Sequence, residues 1–189
     1  MKKFFLIAIL LLAGSDAFAQ ETERPQYVIS VTHRGQALGN ITIELFPDVA
    51  PKHVRNFDSL VSVKFYDGTV FHRVVEGFVI QGGGMRSKDT VANPRERWGA
   101  SDPSQTRVPA EFNKLKHERG IISAARTKDP NSATSQFFIV LDDAPSLDGN
   151  YTVYGRVLSG MDVVDAIVEL PQDEHNNPID RVEMKIVKK

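Results

Sequence analysis

The sequence predicts a mainly β fold, either an antiparallel sheet or a closed barrel, accompanied by two helices. Short stretches in which apolar and polar residues alternate recur along the chain and are bounded by glycine, proline or polar turns. Only two stretches show helical spacing, and most strands are joined by loops rather than helices, which argues against strands alternating with helices. With 189 residues and 41% hydrophobic residues, the chain fits one domain with a substantial core.

The predicted strands lie at residues 27–32, 41–46, 70–75, 78–81, 120–125, 135–141, 151–157 and 182–186. The first two read as a hairpin joined through the region of Gly35 and Gly39. A turn at Asp148-Gly149 precedes the strand that begins at Tyr151. Closing such a sheet into a barrel would remove its exposed edges.

Two amphipathic helices are predicted. Asp48 is expected to cap the first, whose first turn tolerates Pro51 and whose apolar face contains Val54, Phe57, Leu60 and Val61. The second starts at Met161 and ends before Pro171, with its apolar face formed by Val164, Ile167 and Val168.

The N-terminal residues have the three parts of a secretory signal peptide: Lys2-Lys3, an apolar run over residues 4–13, and Ala17-Phe18-Ala19. We expect cleavage after Ala19, a single mature domain of residues 20–189, and export to the periplasm of a Gram-negative bacterium. An uncleaved anchor is the weaker alternative, because the run is shorter than the roughly 20 residues of a membrane span. We therefore expect no stable membrane insertion.

Composition excludes several functions. The chain has no cysteine, which removes disulfides and thiolate chemistry. Its 23 basic and 24 acidic residues give a net charge of -1 without a basic stripe, so no nucleic acid partner is expected. The histidines lack metal-ligand spacing, and neither a phosphate-binding loop, a dinucleotide fingerprint nor a Gly-x-Ser-x-Gly elbow occurs.

The segment 71–84 combines an arginine with apolar residues and three glycines. Alternation predicts that Phe71, Arg73 and Val75 share one face of a strand, with His72 on the other. Arg73 either reaches water, pairs with a carboxylate or awaits an acceptor on a ligand. Gly82-Gly83-Gly84 predict a close approach of the backbone to a ligand or strand. The long polar loop 85–109 is a candidate for substrate selection, and its Trp98 either anchors the loop or touches a ligand.

Three motifs, at residues 71–83, 120–125 and 135–139, closely resemble the cyclophilin family of peptidyl-prolyl isomerases, and the similarity extends from about Tyr27 to Lys188. The resemblance implies an eight-stranded antiparallel closed β-barrel capped by two α-helices. It also implies an isomerase that acts on proline-containing polypeptides, such as folding exported proteins, without a metal or other cofactor. Its signal-bearing form most resembles exported bacterial members.

The resemblance also assigns roles to residues. Arg73 is the expected catalytic arginine, and Gln81 is expected to orient it or a substrate carbonyl. The proline pocket is expected to comprise Phe78, Val79, Phe138 and Leu147. Contacts with the peptide backbone are expected from Gln81, Ala125, Arg126 and Gln136, and Tyr151 stands at the rim where many members have histidine. The alternative is that the aromatic residues are core and that the glutamines satisfy backbone groups.

Ser146 stands where well-known animal members have tryptophan. The missing apolar wall predicts weak cyclosporin binding with isomerase activity retained. Two other functions stay open at this point: a peptide-binding chaperone without useful turnover, and a structural envelope protein. A monomer is expected because no exposed apolar helix or strand indicates a partner.

Overall fold

The computed structural model describes residues 24–189, so the predicted signal peptide at residues 1–19 lies outside the described residues. Eight strands form a closed barrel in the order β1-β2-β7-β5-β6-β4-β3-β8, and every neighbouring pair is antiparallel. The strands are β1 (Gln26–His33), β2 (Gln36–Leu45), β3 (Thr69–Val75), β4 (Val79–Gly82), β5 (Ile121–Ala124), β6 (Phe137–Val140), β7 (Val153–Ser159) and β8 (Val182–Lys188). The predicted fold is confirmed.

Two α-helices, α1 (Pro51–Ser62) and α2 (Met161–Val168), pack against the barrel. Helix α1 buries Val54, Phe57 and Val61 as its apolar spacing predicts. Phe57 meets Phe137 of β6 edge-to-face with ring centroids 6.0 Å apart, which joins the helix to the barrel core. Among residues 24–189, no helix is both long and apolar enough to span a membrane.

The predicted cap of helix α1 is wrong. The N-cap residue is Ala50, which has no side chain able to cap. Glu111 supplies the acceptor instead: its carboxylate accepts hydrogen bonds from the backbone N–H of Lys52 at 3.0 Å and of His53 at 3.0 Å. A carboxylate at a helix N-terminus satisfies free amides and interacts favourably with the helix dipole.

The face that Arg73 occupies also differs from simple alternation. Pairing between β3 and β4 shifts register between Phe71 and Arg73, which marks a bulge around His72. As a result Phe71 and Val74 both enter the barrel core, while Arg73 points to the outer face. The prediction that Phe71 and Arg73 share a face is therefore wrong.

The glycine run is explained by close packing. A Cβ on Gly82 would lie 2.9 Å from the carbonyl oxygen of Val70, and one on Gly83 would lie 2.9 Å from that of Ser135. A Cβ on Gly84 would collide with the carbonyl oxygen of Trp98. These glycines let β4 pass closely beside other backbone and lead into the long loop.

Candidate active site

The outer face of strands β4 and β6 carries a small apolar cluster separate from the barrel core. Strand β6 is buried on both sides: Phe137 and Ile139 face the barrel interior, whereas Phe138 and Val140 face outward with Val79 of β4. The short 3₁₀ turn Pro145–Leu147 brings Leu147 against this cluster. Because one strand has two apolar faces, the register that closes the barrel also fixes the outer cluster.

A cavity of about 80 Å³ opens in this cluster. Its lining unites nine of the ten residues that the sequence nominated: Arg73, Phe78, Val79, Gln81, Ala125, Arg126, Phe138, Leu147 and Tyr151. We call it the proline cavity, after the ligand that the family resemblance predicts for it. Gln136, the tenth, lines an adjoining cavity of about 60 Å³ with Gly99, Ser101, Thr127, Ser132 and Thr134, and Gln81, Ala125 and Arg126 line both.

Arg73 presents a cation at the edge of apolar side chains. It is partly buried on β3 and lines the proline cavity. Within residues 24–189 its guanidinium has neither a hydrogen bond nor an ion pair. Of the three alternatives predicted for Arg73, pairing with a carboxylate is therefore excluded for this part of the chain. A partly desolvated, uncommitted guanidinium interacts strongly with any acceptor brought into the cavity.

Gln81 and Gln136 are held in a short chain of hydrogen bonds. Gln81 Nε2 donates to Gln136 Oε1 at 3.0 Å, and Gln136 Nε2 donates to the carbonyl oxygen of Gly99 at 3.1 Å. Gln81 thus contacts Gln136, and no hydrogen bond to Arg73 occurs among the described residues. No site role was predicted for Gly99, which belongs to the loop 85–109.

Trp98 attaches that loop to the barrel. Its ring is 7% exposed, its Nε1 donates to the carbonyl oxygen of Asn93 at 3.0 Å, and the Arg181 guanidinium lies 5.1 Å from its ring centroid. The neighbouring Gly99 sits against the His72 ring, where a Cβ would lie 2.8 Å from both Cδ2 and Nε2. The loop is therefore packed onto the site through Trp98 and Gly99.

Three residues for which the sequence predicted no role at the site support the Phe138 ring through stacking and hydrogen bonds. His117 stacks on Phe138 with centroids 6.1 Å apart; its Nδ1 lies 3.0 Å from Asp148 Oδ1 and its Nε2 lies 3.1 Å from Ser123 Oγ. Ser123 is fully buried, which excludes it as a nucleophile toward an outside substrate. The arrangement braces the cavity wall.

The charge states of His117 and Asp148 follow from burial and hydrogen bonding. Burial lowers the pKa of His117, although Asp148 favours the protonated ring. The pKa of Asp148 is lowered to about 2, first by the hydrogen bond from the His117 backbone N–H and then by those from the His117 ring and Lys116. A neutral His117 donating from Nδ1 to ionised Asp148 can accept at Nε2 from the Ser123 hydroxyl.

The rim of the cavity is polar and partly exposed. Arg126 lies over Tyr151, its Cζ 4.4 Å from the ring centroid, and Tyr151 meets Phe138 edge-to-face at 5.6 Å. Ser146 is exposed beside Leu147, so the side chain at this position of the rim is small. Among residues 24–189, no three His, Asp or Glu side chains converge in a possible metal site.

Comparisons with known proteins agree with this architecture. A family model described as "Cyclophilin type peptidyl-prolyl cis-trans isomerase/CLD" matches residues 28–189. A "Probable peptidyl-prolyl cis-trans isomerase" of Brucella suis is 45% identical over 130 residues, which span 68% of this chain but 66% of that protein, slightly under two thirds. "Peptidyl-prolyl cis-trans isomerase A" of Dickeya dadantii is 39% identical, covering 98% of this chain and 94% of the other.

Solved structures give the same result. A cyclophilin type peptidyl-prolyl cis-trans isomerase of Cryptosporidium parvum is similar with a TM-score of 0.75 and 29% identity, covering 88% of this chain and 98% of that one. A second structure of that protein was determined in the presence of the dipeptide Ala-Pro and has a TM-score of 0.73. The chain belongs to the cyclophilin-type peptidyl-prolyl cis-trans isomerase family, the family that its sequence motifs resemble.

Proposed function

We propose that this chain accelerates rotation about X-Pro bonds of exported polypeptides, that the proline ring binds in the proline cavity, and that Arg73 stabilises the twisted amide. The observation that carries the proposal is the uncommitted guanidinium of Arg73 on the lining that also contains Phe138 and Leu147. The Ala-Pro dipeptide used with the Cryptosporidium relative supports proline-containing peptides as the ligand class.

The barrier to rotation comes from donation of the prolyl nitrogen lone pair into the carbonyl, and it amounts to about 18–20 kcal/mol. When the bond twists, that lone pair localises on nitrogen and becomes a hydrogen-bond acceptor. A guanidinium N–H placed there donates to the twisted amide but has no comparable acceptor on the planar one. Binding energy is then realised mainly in the transition state, which is the condition for catalysis.

The apolar walls of the cavity would hold the proline ring in place while the bond rotates. Phe78, Phe138 and Leu147 would hold the proline ring, while Gln81, Gln136 and backbone groups near Ala125 and Arg126 would hold the flanking peptide. The residue before proline then turns relative to a fixed ring. Proton transfer and covalent bonding to the enzyme play no part in this mechanism, so it uses no nucleophile.

An isomerisation assay on a short X-Pro peptide tests the mechanism. Arg73→Ala should lower kcat/KM by about 100- to 1,000-fold, the usual loss for one donor to a transition state. Arg55→Ala, on the exposed side of helix α1, is the matched control and should keep the wild-type rate. Equal activity of Arg73→Ala and wild type would refute the role of Arg73. Peptide binding without turnover by the wild type would favour the chaperone alternative.

We also propose that the mature protein is a monomeric single domain of residues 20–189 in the periplasm of a Gram-negative bacterium. The charged, apolar and small-residue parts of residues 1–19 support this location. Fractionation followed by mass spectrometry should find a periplasmic protein that begins at Gln20, with a monomeric mass in solution. An intact N-terminus on a membrane-bound protein would contradict the proposal.

A further inference from the structure

We infer that this isomerase favours peptides with an acidic residue close to the proline, and that Arg126 selects them. The inference rests on the proposed function, because it takes the proline cavity as the place where the peptide lies. It concerns the side chain of Arg126, whereas the family resemblance places only a peptide-backbone contact at that position.

The groove formed by the two adjoining cavities is lined by positive charge only. Arg73 and Arg126 are the charged residues of the two adjoining cavities, and none of the described residues that line either cavity is aspartate or glutamate. Arg126 lines both cavities, so its charge lies between the proline site and the neighbouring site. A peptide in the groove therefore meets positive charge without a competing carboxylate in the lining.

Arg126 is held in place by neutral partners. Its Nε and Nη2 donate to the carbonyl oxygen of Asn150 at 3.1 and 2.8 Å, and its Nη1 donates to that of Thr127 at 2.9 Å. Arg126 Cζ also lies 4.4 Å from the centroid of the Tyr151 ring, and this stacking helps to orient the guanidinium plane. These contacts leave one N–H on each terminal nitrogen free for an acceptor. Because the partners are carbonyls and an aromatic ring, none of them neutralises the charge.

Two acidic residues that lie close in sequence to lining residues, Asp129 and Asp148, are already engaged. Asp129 Oδ2 lies 3.4 Å from Arg107 Nη1, and Asp148 pairs with Lys116 at 3.0 Å and with His117 at 3.0 Å. A positioned guanidinium with two free donors matches the two oxygens of a carboxylate. A Glu or Asp side chain of the peptide is consequently the acceptor that this rim fits.

The experiment measures kcat/KM for tetrapeptides that differ only in having Glu or Gln, placed in turn two positions before, directly before or directly after proline. Arg126 is partly exposed, so the Glu:Gln ratio should be about two- to fivefold at one or more positions in low salt, as for a surface ion pair. It should fall toward one in about 0.5 M salt, because screening shortens the reach of the charge. Arg126→Gln should abolish the preference, whereas Arg126→Lys should keep part of it.

A wild-type ratio near one at all positions, or an unchanged ratio in Arg126→Gln, overturns the assignment. If Arg126→Gln fails to fold, the wild type decides: a salt-independent ratio also overturns it. Failure of the proposed function looks different, because the wild type would then turn over none of the peptides. In that case titrating the same peptides against the wild type and Arg126→Lys still compares binding of Glu with that of Gln.

Discussion

Mild acidification should destabilise the fold through His72. The ring is 4% exposed, and neither ring nitrogen has a hydrogen-bond partner within residues 24–189. Burial lowers its pKa from 6.5 to about 4, the Arg73 charge adds to this effect, and the Val70 backbone opposes it without the geometry of a full hydrogen bond. The folded protein thus keeps His72 neutral where the unfolded chain would protonate it.

The sign and size of the effect follow from proton linkage. Above pH 6.5 both states have a neutral ring, and stability is unaffected; as pH falls from 6.5 to 4, the unfolded state gains a proton that the folded state cannot take. Each pH unit in this interval costs about 1.4 kcal/mol, so the full loss is about 3 kcal/mol. His53 and His117, whose pKa values burial also lowers, act in the same direction.

Urea unfolding monitored by Trp98 fluorescence at about pH 7 and about pH 4.5 measures this loss. His72→Gln, whose side chain is neutral at both pH values, should lose about 2 kcal/mol less than wild type between the two conditions. His175→Gln removes an exposed histidine as a control and should follow the wild type. If His72→Gln and wild type lose equal stability, His72 is not the group that responds.

Three other substitutions test separate contacts. Glu111→Ala should lower the free energy of unfolding by about 1–2 kcal/mol by removing the acceptor for the first amides of helix α1; an unchanged urea midpoint would show that water replaces it. Gly99→Ala should lower kcat/KM about fivefold, because its Cβ would press on His72 and shift the acceptor of Gln136, and unaltered kinetics would contradict this coupling. Wild type should bind cyclosporin weakly and Ser146→Trp about tenfold more tightly, since an indole restores an apolar wall; submicromolar inhibition of the wild type would refute that reasoning.

Local pattern was sufficient for the elements of the fold. Every predicted strand overlaps an observed one, since alternation reports the two environments on either side of a sheet. The largest boundary error is at β2, which begins at Gln36 although residues 36–40 looked like a connection. These residues show no clear alternation of apolar and polar side chains, yet their backbone pairs with β1 across a bulge between Val31 and Thr32. Pairing of this kind depends on the partner strand and leaves little trace in side-chain pattern.

What the sequence could not predict depends on contacts between distant segments. Asp48 has the right type and spacing for a helix cap, but Glu111 performs that function from 59 residues away. The bulge at His72 reverses the face of Phe71, and nothing in the alternation of β3 indicates it. The bracing of Phe138 by His117 and Ser123 likewise requires β5, β6 and the turn before Asp148 to be assembled first.

The strand residues that line the cavity and the loop residues at its rim are constrained differently by the fold. This difference indicates where substrate specificity can vary. Phe138 and Val79 belong to strands whose opposite faces fill the barrel, so displacing them by one register position would expose the core. Arg126 and Ser146 lie on connections, where Arg126 contacts carbonyl groups and an aromatic ring. Changes at the rim therefore alter peptide or inhibitor preference at small cost to folding, while the cavity that would hold a proline beside Arg73 stays fixed by closure of the barrel.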